Sequence, residues 1–354
     1  MVLASIPRSG KLSLKMAVTA KKKLKKLKIG VLIGGPSAEH EVSLATGKNV
    51  IDNLDRSKYQ PAAIKLSKRG QWFLNGRLTN MAKALKSCDI IFNALHGTFG
   101  EDGRVQALME YYGARYTGSG ITASALAMDK LRSREIFKLA GFCVPKTLKV
   151  KKKENYQARL NLFITKITKL PVVVKPCSNG SSVGVKIVNN AAKLAKTIDQ
   201  TFELDKKVLV EEYIKGREVT CGVLDSFNPV NPNERGANGE PAALPVTEII
   251  PLKKHKFFDY DAKYKPGHCQ EITPAQIDEA TRDKVQEIAV RAHQLLGCRG
   301  YSRTDMILKN DHIYILETNT LPGMTSHSLV PQAAKSVGLT FTQLLDIIIE
   351  SSLS

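Results

Sequence analysis

Short continuous apolar runs alternate with stretches in which apolar residues recur at helical spacing, and this alternation predicts the first part of the fold. Residues 28–33, Lys-Ile-Gly-Val-Leu-Ile, read as a buried strand that Gly34-Gly35-Pro36 brings to an end. Ser37 is placed to cap a helix whose Val42, Ala45, Val50, Ile51 and Leu54 keep a helical period. A second buried strand is expected over 89–95, ending at His96-Gly97, then a helix over 105–112 that Gly113 stops. A further extended stretch, 115–117, runs through Gly118-Ser119-Gly120 into one long helix over about 122–140. Strands alternating with helices imply an open parallel sheet, whose ligands sit beyond the carboxyl ends of the strands. Glu41 and His96 both fall at such ends.

From Leu170 the pattern changes to more strands and longer loops. Residues 172–175 and 185–188 read as strands joined by a Gly/Ser loop, Cys177 to Gly184, and 207–213 reads as another strand. The Asn-, Pro- and Gly-rich stretch 225–243 reads as a mobile insertion between strands over 218–224 and 244–250. Thr273 is expected to cap a helix with Pro274 at its first position and Gly297 past its end, about six turns long. A hairpin and two helices close the chain, and no internal repeat occurs.

Composition narrows the class. With 354 residues, 43% hydrophobic and 24% charged, the chain is long enough for two or three domains and too apolar to be mostly disordered. No apolar run approaches the roughly 18 to 20 residues that cross a bilayer. The net charge of +20 raises the question of a nucleic-acid or membrane-surface partner. Nine basic residues and no acidic one lie in residues 1–28, so nearly half of that excess sits in a tail. The tail lacks the uninterrupted apolar core of a secretory signal, since Arg8, Lys11 and Lys15 break it. It is read as a disordered extension, or as sequence upstream of a true start at Met16, in preference to a transit peptide. The six cysteines are scattered with no CxxC pair, which excludes a sequence-local zinc cluster and fits a reducing cytoplasm.

The hairpin carries the most specific chemistry. Residues 303–308 and 313–319 alternate around a turn containing Asn310-Asp311. A three-residue loop, 310–312, would set Lys309 opposite Ile313, Asp305 opposite Glu317 and Arg303 opposite Asn319, all on one face. Opposed carboxylates repel unless a cation lies between them, and an Asp, Glu and Asn oxygen set suits Mg²⁺ held with substrate phosphates. A solvated polar face with a salt bridge to Arg303 is the plainer account, and four polar side chains on otherwise apolar strands favour the metal. The loop 177–184 could close backbone N–H groups over phosphates, and Lys175, buried at the end of a strand, needs an anionic or polar partner. No GxxxxGK[ST] pattern occurs, and Gly118-x-Gly120-x-x-Ala123 reads as a tight turn. Glu41, like Glu39, is accounted for by the helix dipole alone. His96 divides evenly between a ligand-polarising group and a satisfied loop histidine. Lys263 and Tyr264, in the basic and aromatic stretch 253–264, would close as a lid if phosphates lie nearby.

Taken together, five blocks are recognisable: residues 34–43 (GGPSAEHEVS), 94–97 (ALHG), 128–131 (MDKL), 180–184 (GSSVG) and 317–325 (ETNTLPGMT). In this order they resemble the D-alanine D-alanine ligase family of the ATP-grasp superfamily, from about Lys28 to the end. The resemblance implies a mixed α/β fold of ATP-grasp architecture with an N-terminal open parallel α/β domain. It divides the chain into a basic tail (1–27), an N-terminal domain on the first-substrate side (28–121), a central subdomain (122–215) and a C-terminal subdomain (216–354). It implies that one D-alanine carboxylate attacks the γ-phosphate of ATP and that the amine of a second D-alanine displaces phosphate from the acyl phosphate, for peptidoglycan precursor synthesis.

Residue by residue, the resemblance places Glu41, His96, Ser181, Tyr264 and Arg303 in the catalytic set. Glu41 would hold the ammonium of the first D-alanine, with His96 near its carboxylate. Lys130, Lys175 and Lys263 would contact ATP phosphates, and Ser181 and Ser182 would cover them. Glu211, Glu212 and Ile214 would line the adenine site, and Glu218 would accept from the ribose hydroxyls. Asp305, Glu317 and Asn319 would bind two Mg²⁺ ions, with Mn²⁺ as a substitute. Arg303 and the Gly323 N–H would stabilise the oxyanion, and Ser328 would receive the carboxylate of the second D-alanine. Tyr264, where a Phe accompanies ester formation, favours an amine acceptor. Phe258 departs from the Tyr common in the lid. The implied enzyme is a cytoplasmic homodimer without nucleic-acid or membrane partners. A ligase with D-lactate or D-serine as acceptor is the alternative within the superfamily, and a basic nucleic-acid-binding protein the alternative outside it.

Overall fold

The structure is a computed structural model that describes residues 25–178, 184–232, 234, 236, 239–252 and 269–353. Its first sheet is built on β1 (Leu27–Gly34), which runs parallel to β2 (Tyr59–Leu66) on one side and to β5 (Ile90–Asn93) on the other. Helix α1 (His40–Asn53) makes the crossover from β1 to β2. An antiparallel pair, β3 (Trp72–Leu74) and β4 (Arg77–Thr79), extends the β2 edge, and α2 (Met81–Lys86) leads back to β5. Strand β2 was not legible in the sequence because Pro61 and Lys65 interrupt its apolar positions. Its burial nevertheless alternates over the second half, with Ala62, Ile64 and Leu66 inside. After α3 (Arg104–Tyr111), Tyr116 makes a single parallel bridge to Ile91, where the short extended stretch was expected.

The helix expected over 122–140 is two helices, α4 (Ile121–Met128) and α5 (Lys130–Leu139). Asp129 between them is extended at φ −83°, ψ 92°, and its side chain accepts from Leu131 N and Arg132 N. A carboxylate that caps the next helix competes with continuation of the last one, which is why the apolar period alone overran the break. The break makes Lys130 the first residue of α5.

The central sheet is antiparallel in the order β6 (Thr147–Lys151), β9 (Lys207–Glu212), β7 (Val172–Pro176), β8 (Lys186–Val188). Helices α6 (Gln157–Leu162) and α7 (Ala191–Thr201) bring Leu160, Leu194 and Ile198 against Val150, Val172 and Val210. The third sheet, also antiparallel, runs β13 (Cys269–Ile272), β12 (Thr247–Pro251), β10 (Arg217–Asp225), β14 (Tyr301–Lys309), β15 (His312–Asn319). Part of the stretch read as an insertion is a strand, since β11 (Pro241–Ala243) pairs with the end of β10.

Helix α8 (Glu279–Leu296) starts later than expected. Its cap is Asp278, whose side chain accepts from Thr281 N, while Thr273 Oγ1 pairs with Thr247 Oγ1 at 2.7 Å. Pro274 therefore precedes the helix, and its 18 residues make five turns rather than six. Gly297 does end it, at φ +68°. Phe137 of α5 joins Val285 and Ala289 of α8 beneath Val219, Met306 and Ile315 of the third sheet. The C-terminal helices α9 (Leu329–Ser336) and α10 (Phe341–Glu350) instead pack Leu344, Leu345 and Ile348 against Ile29, Val31 and Phe92 of the first sheet.

Helix α1 approaches β1 closely at Gly47, where a Cβ would lie 2.0 Å from Ile33 Cγ2 and 3.2 Å from Ile33 Cβ. Overpacking at such a site costs about 1–3 kcal/mol. Gly47→Ala is accordingly expected to lower the thermal midpoint by several degrees, read by circular dichroism; an unchanged midpoint would show that α1 can lift from the sheet at no cost.

Candidate active site

The hairpin register decides which side chains meet. The turn holds two residues, not three, because Lys309 pairs with His312 and Asn310 takes φ +51°. In a straight ladder that turn would set Asp305 opposite Leu316 and send Glu317 to the far face, since side chains alternate every residue. A β-bulge intervenes: Met306 pairs with Ile315, Asp305 pairs with Glu317, and Leu316 is the extra residue. The facing expected from the sequence, Asp305 with Glu317 and Arg303 with Asn319, is therefore present through a compensating pair of differences. Thr220 and Glu218 of β10, opposite Asp305 and Ile307, extend the same face.

Asp305 and Glu317 on this face each meet a cation. Arg303 donates from Nε to Asp305 Oδ1 at 2.8 Å and from Nη2 to Oδ2 at 2.9 Å, and Thr220 Oγ1 donates to Asp305 Oδ1 at 2.6 Å. Lys130, from the start of α5, places Nζ 3.1 Å from Glu317 Oε2. Burial opposes the charge of Lys130, but Glu317 more than offsets it, so its pKa lies above the ordinary lysine value. Asn319 Oδ1 accepts from Leu321 N at 3.0 Å, which orients its amide.

A second buried cluster adjoins from the central sheet. Lys175, near the end of β7, lies 3.0 Å from Glu211 Oε2 on β9, and Arg134 of α5 pairs with Glu211 Oε1. Burial and the nearby Arg134 bring Lys175 down from an ordinary 10.5 to about 8, although Glu211 opposes this. Burial would raise the Glu211 carboxyl, but Arg134 and Lys175 hold it below the ordinary range. At the exit of β9, Ile214 is buried, and Lys146 N lies 3.4 Å from Glu212 Oε2. Among these groups four cations, Lys130, Arg134, Lys175 and Arg303, gather around Glu211, Asp305 and Glu317, a concentration of buried positive charge suited to a polyanion.

At the carboxyl end of the first sheet, Glu41 is largely exposed in the first turn of α1, 3.8 Å from Lys68 Nζ. His96 is buried, with Nε2 2.9 Å from Thr46 Oγ1, Nδ1 3.5 Å from Glu101 Oε1, and its carbonyl accepting from Ser37 Oγ at 2.6 Å. Both ring nitrogens thus have neighbours. Ser37 does not cap α1 as expected; the helix starts at His40, after a buried Glu39. Asn49 of α1 donates to Met324 O at 2.7 Å, bringing the loop after β15 to this sheet. There Ser328 Oγ lies against Gly323, pairs with Thr325 Oγ1 at 2.8 Å, and stands at the N-terminus of α9. A helix start favours a carboxylate.

Ser181, Ser182, Lys263, Tyr264 and Phe258 lie outside the described residues. The sequence reading missed Arg134, Thr220, Asn49 and the capping role of Asp129. Arg134 follows Lys130 by one helical turn, a spacing that could have signalled a shared face.

Comparison with known proteins gives this arrangement a family. Residues 28–84 and 75–119 match the family model described as the D-ala D-ala ligase N-terminus, and residues 136–350 match the D-ala D-ala ligase C-terminus. The chain belongs to the D-alanine–D-alanine ligase family. The D-alanine–D-alanine ligase of Syntrophobacter fumaroxidans is 42% identical over 328 residues, covering 93% of this chain and 98% of that protein. Among solved structures, VanG D-Ala:D-Ser ligase from Enterococcus faecalis is similar at 32% identity and a TM-score of 0.77, covering 93% of this chain and all of that one. The Bacillus anthracis D-alanine–D-alanine ligase complexed with ATP is similar at 33% identity and a TM-score of 0.73, over 92% and 97% of the two chains. The ATP-grasp fold of the family accords with the three sheets.

Asp305, Glu317 and Asn319 offer only hard oxygen donors on one face, which fits Mg²⁺. Among the described residues no three His, Cys, Asp or Glu form a metal cage, so phosphates and water would complete the shell. Glu317→Gln is expected to abolish Mg²⁺-dependent phosphate release and to lower the unfolding temperature, since buried Lys130 loses its carboxylate; retained turnover in the folded variant would remove Glu317 from the site. Because Lys175 loses its proton near pH 8 in the fold and near 10.5 when unfolded, the unfolded chain binds more protons between those values, and stability rises with pH there. Nucleotide affinity should move the other way. Calorimetric titration with ADP is expected to show weakening as pH rises through about 8; a flat profile from pH 7 to 9.5 would exclude Lys175 as a phosphate contact.

Proposed function

We infer that this chain is an ATP-dependent ligase that joins two D-alanine molecules, releasing ADP and phosphate. The observation that carries the reading is the pairing of Lys130 with Glu317, Arg303 with Asp305 and Lys175 with Glu211, from two adjoining sheets, in a chain whose two halves match the ligase family. A carboxylate oxygen of the first D-alanine attacks the γ-phosphorus of ATP, the bond to the β–γ bridging oxygen breaks, and ADP departs. The amine of the second D-alanine then attacks the acyl carbon, loses a proton, and displaces phosphate.

The protein contributes positioning and fixed charge, as phosphoryl transfer generally requires. Lys130 and Lys175 neutralise the phosphates, joined by Lys263, while Ser181 and Ser182 cover them. Asp305, Glu317 and Asn319 would hold Mg²⁺, or Mn²⁺ in its place, which supplies charge neutralisation at the transferred phosphate. Arg303 and the Gly323 N–H face the oxyanion formed when the amine adds. Glu41 takes the first ammonium and His96 lies by its carboxylate. Ser328, at the start of α9, receives the second carboxylate. Glu212 and Ile214 line the adenine, with Glu211 beside them also holding Lys175, and Glu218 accepts from the ribose. Tyr264 favours an amine acceptor.

The reading carries with it a peptidoglycan precursor role, a homodimer, a cytoplasmic location, and a division of the folded chain at 122 and 216. No helix among the described residues is long and apolar enough to cross a membrane.

Purified protein with ATP, Mg²⁺ and D-alanine is expected to release phosphate and form D-alanyl-D-alanine, followed by a coupled phosphate assay and mass spectrometry. D-Lactate and D-serine as second substrates should be used less well. Phosphate release indifferent to D-alanine would sink the assignment.

A further inference from the structure

Leu316, the extra residue in β15, has no partner in the ladder register, and its part-buried carbonyl takes its donors from a side chain. Arg134 supplies two. Its Nε donates to Leu316 O at 2.9 Å and its Nη2 at 2.8 Å, while Nη1 reaches Glu211 Oε1 and, at 3.3 Å, Thr147 Oγ1. The Arg134 side chain is 3% exposed. One planar fork therefore ties three elements: the bulge of β15 in the third sheet, β9 and the start of β6 in the central sheet.

The placement of this clamp matters because of what lies on either side. Leu316 precedes Glu317, and without the bulge Glu317 would turn to the far face of the hairpin. Glu211 holds Lys175 through its other oxygen at 3.0 Å. Arg134 touches neither the phosphate contacts nor the metal donors themselves. It stands between the sheet that carries Glu317 and the sheet that carries Lys175, the two charges that must address one triphosphate.

We propose that Arg134 is a positioning residue for the ligase reaction, clamping the Leu316 bulge to Glu211 so that Glu317 and Lys175 keep a fixed spacing around metal-bound nucleotide. The proposal rests on the ligase reading given above. A lysine at this position keeps the charge beside Glu211, but a single ammonium lacks the planar fork that serves the carbonyl and the carboxylate together. Groups that orient the ligands of a metal site are typically worth about 10- to 100-fold in metal affinity or activity.

The test compares wild type, Arg134→Lys and Arg134→Gln in three measurements: thermal unfolding; calorimetric titration with ADP in Mg²⁺ and in EDTA, without D-alanine; and the Mg²⁺ and D-alanine dependence of turnover. In Arg134→Lys the unfolding temperature is expected to stay near wild type. The Mg²⁺-dependent gain in ADP affinity should fall, and the Mg²⁺ needed for half-maximal rate rise, by about 10- to 100-fold, with the KM for D-alanine unchanged. Arg134→Gln should show a larger effect in the same direction. Mg²⁺ dependence identical to wild type in a folded variant overturns the proposal. So does failure of both variants to fold, which makes Arg134 a stability residue only. A wild-type protein that binds MgADP but shows no D-alanine-dependent phosphate release would strike the ligase reading, while the ADP titrations would still report on Arg134.

Discussion

A β-strand presents alternate residues to opposite faces, so a single added or missing residue decides whether Glu317 stands beside Asp305 or is turned away from it. The hairpin meets this constraint with a two-residue turn and one bulged residue, Leu316. Several contacts of the site follow from that parity. Lys130 reaches Glu317 because the carboxylate faces α5, Arg303 chelates Asp305 on the same face, and the loop after Asn319 leaves in the direction that carries Gly323 and Ser328 toward α1.

The second constraint is electrostatic. Removing Lys130, Lys175, Arg134 and Arg303 from water is costly, and the three carboxylates that accompany them offset this only because the contacts are close and mostly paired two to one or bidentate. Within the cluster Lys175 is held near the edge of deprotonation at about 8. Charges held in place by such pairing are oriented before any ligand binds. The similarity to both a D-alanine ligase and a D-Ala:D-Ser ligase places this machinery at the level of the fold, with acceptor choice left to side chains around it.

What could be read before folding depended on how local the signal was. Strands β1, β5, β7 and β9 are near-continuous apolar runs, and the Gly297 stop needs only a left-handed residue after a periodic segment. The breaks at Asp129 and Asp278 were overrun or misplaced because a cap competes with helix continuation through a hydrogen bond that periodicity does not contain. The hairpin is the instructive case, since Asp305 and Glu317 were matched on the right face from a loop one residue too long. The bulge cancelled the difference, and no local pattern announces a bulge.

Taken by itself, the order of the five motif blocks and the hard-oxygen residues on the hairpin determined the family and the class of chemistry, because those residue types are required wherever phosphates and a hard cation are handled. Splitting the net charge of +20 between tail and body also came from the sequence alone. The tertiary structure decided which buried cation answers which carboxylate: Lys130 with Glu317, Arg303 with Asp305, Lys175 and Arg134 with Glu211. It likewise seated the C-terminal helices under the first sheet and α5 under the third. These are contacts between residues far apart in the chain, 187 positions for Lys130 and Glu317 and 275 for Asn49 and Met324. Their energies depend on distance and burial, quantities that exist only once the sheets have packed.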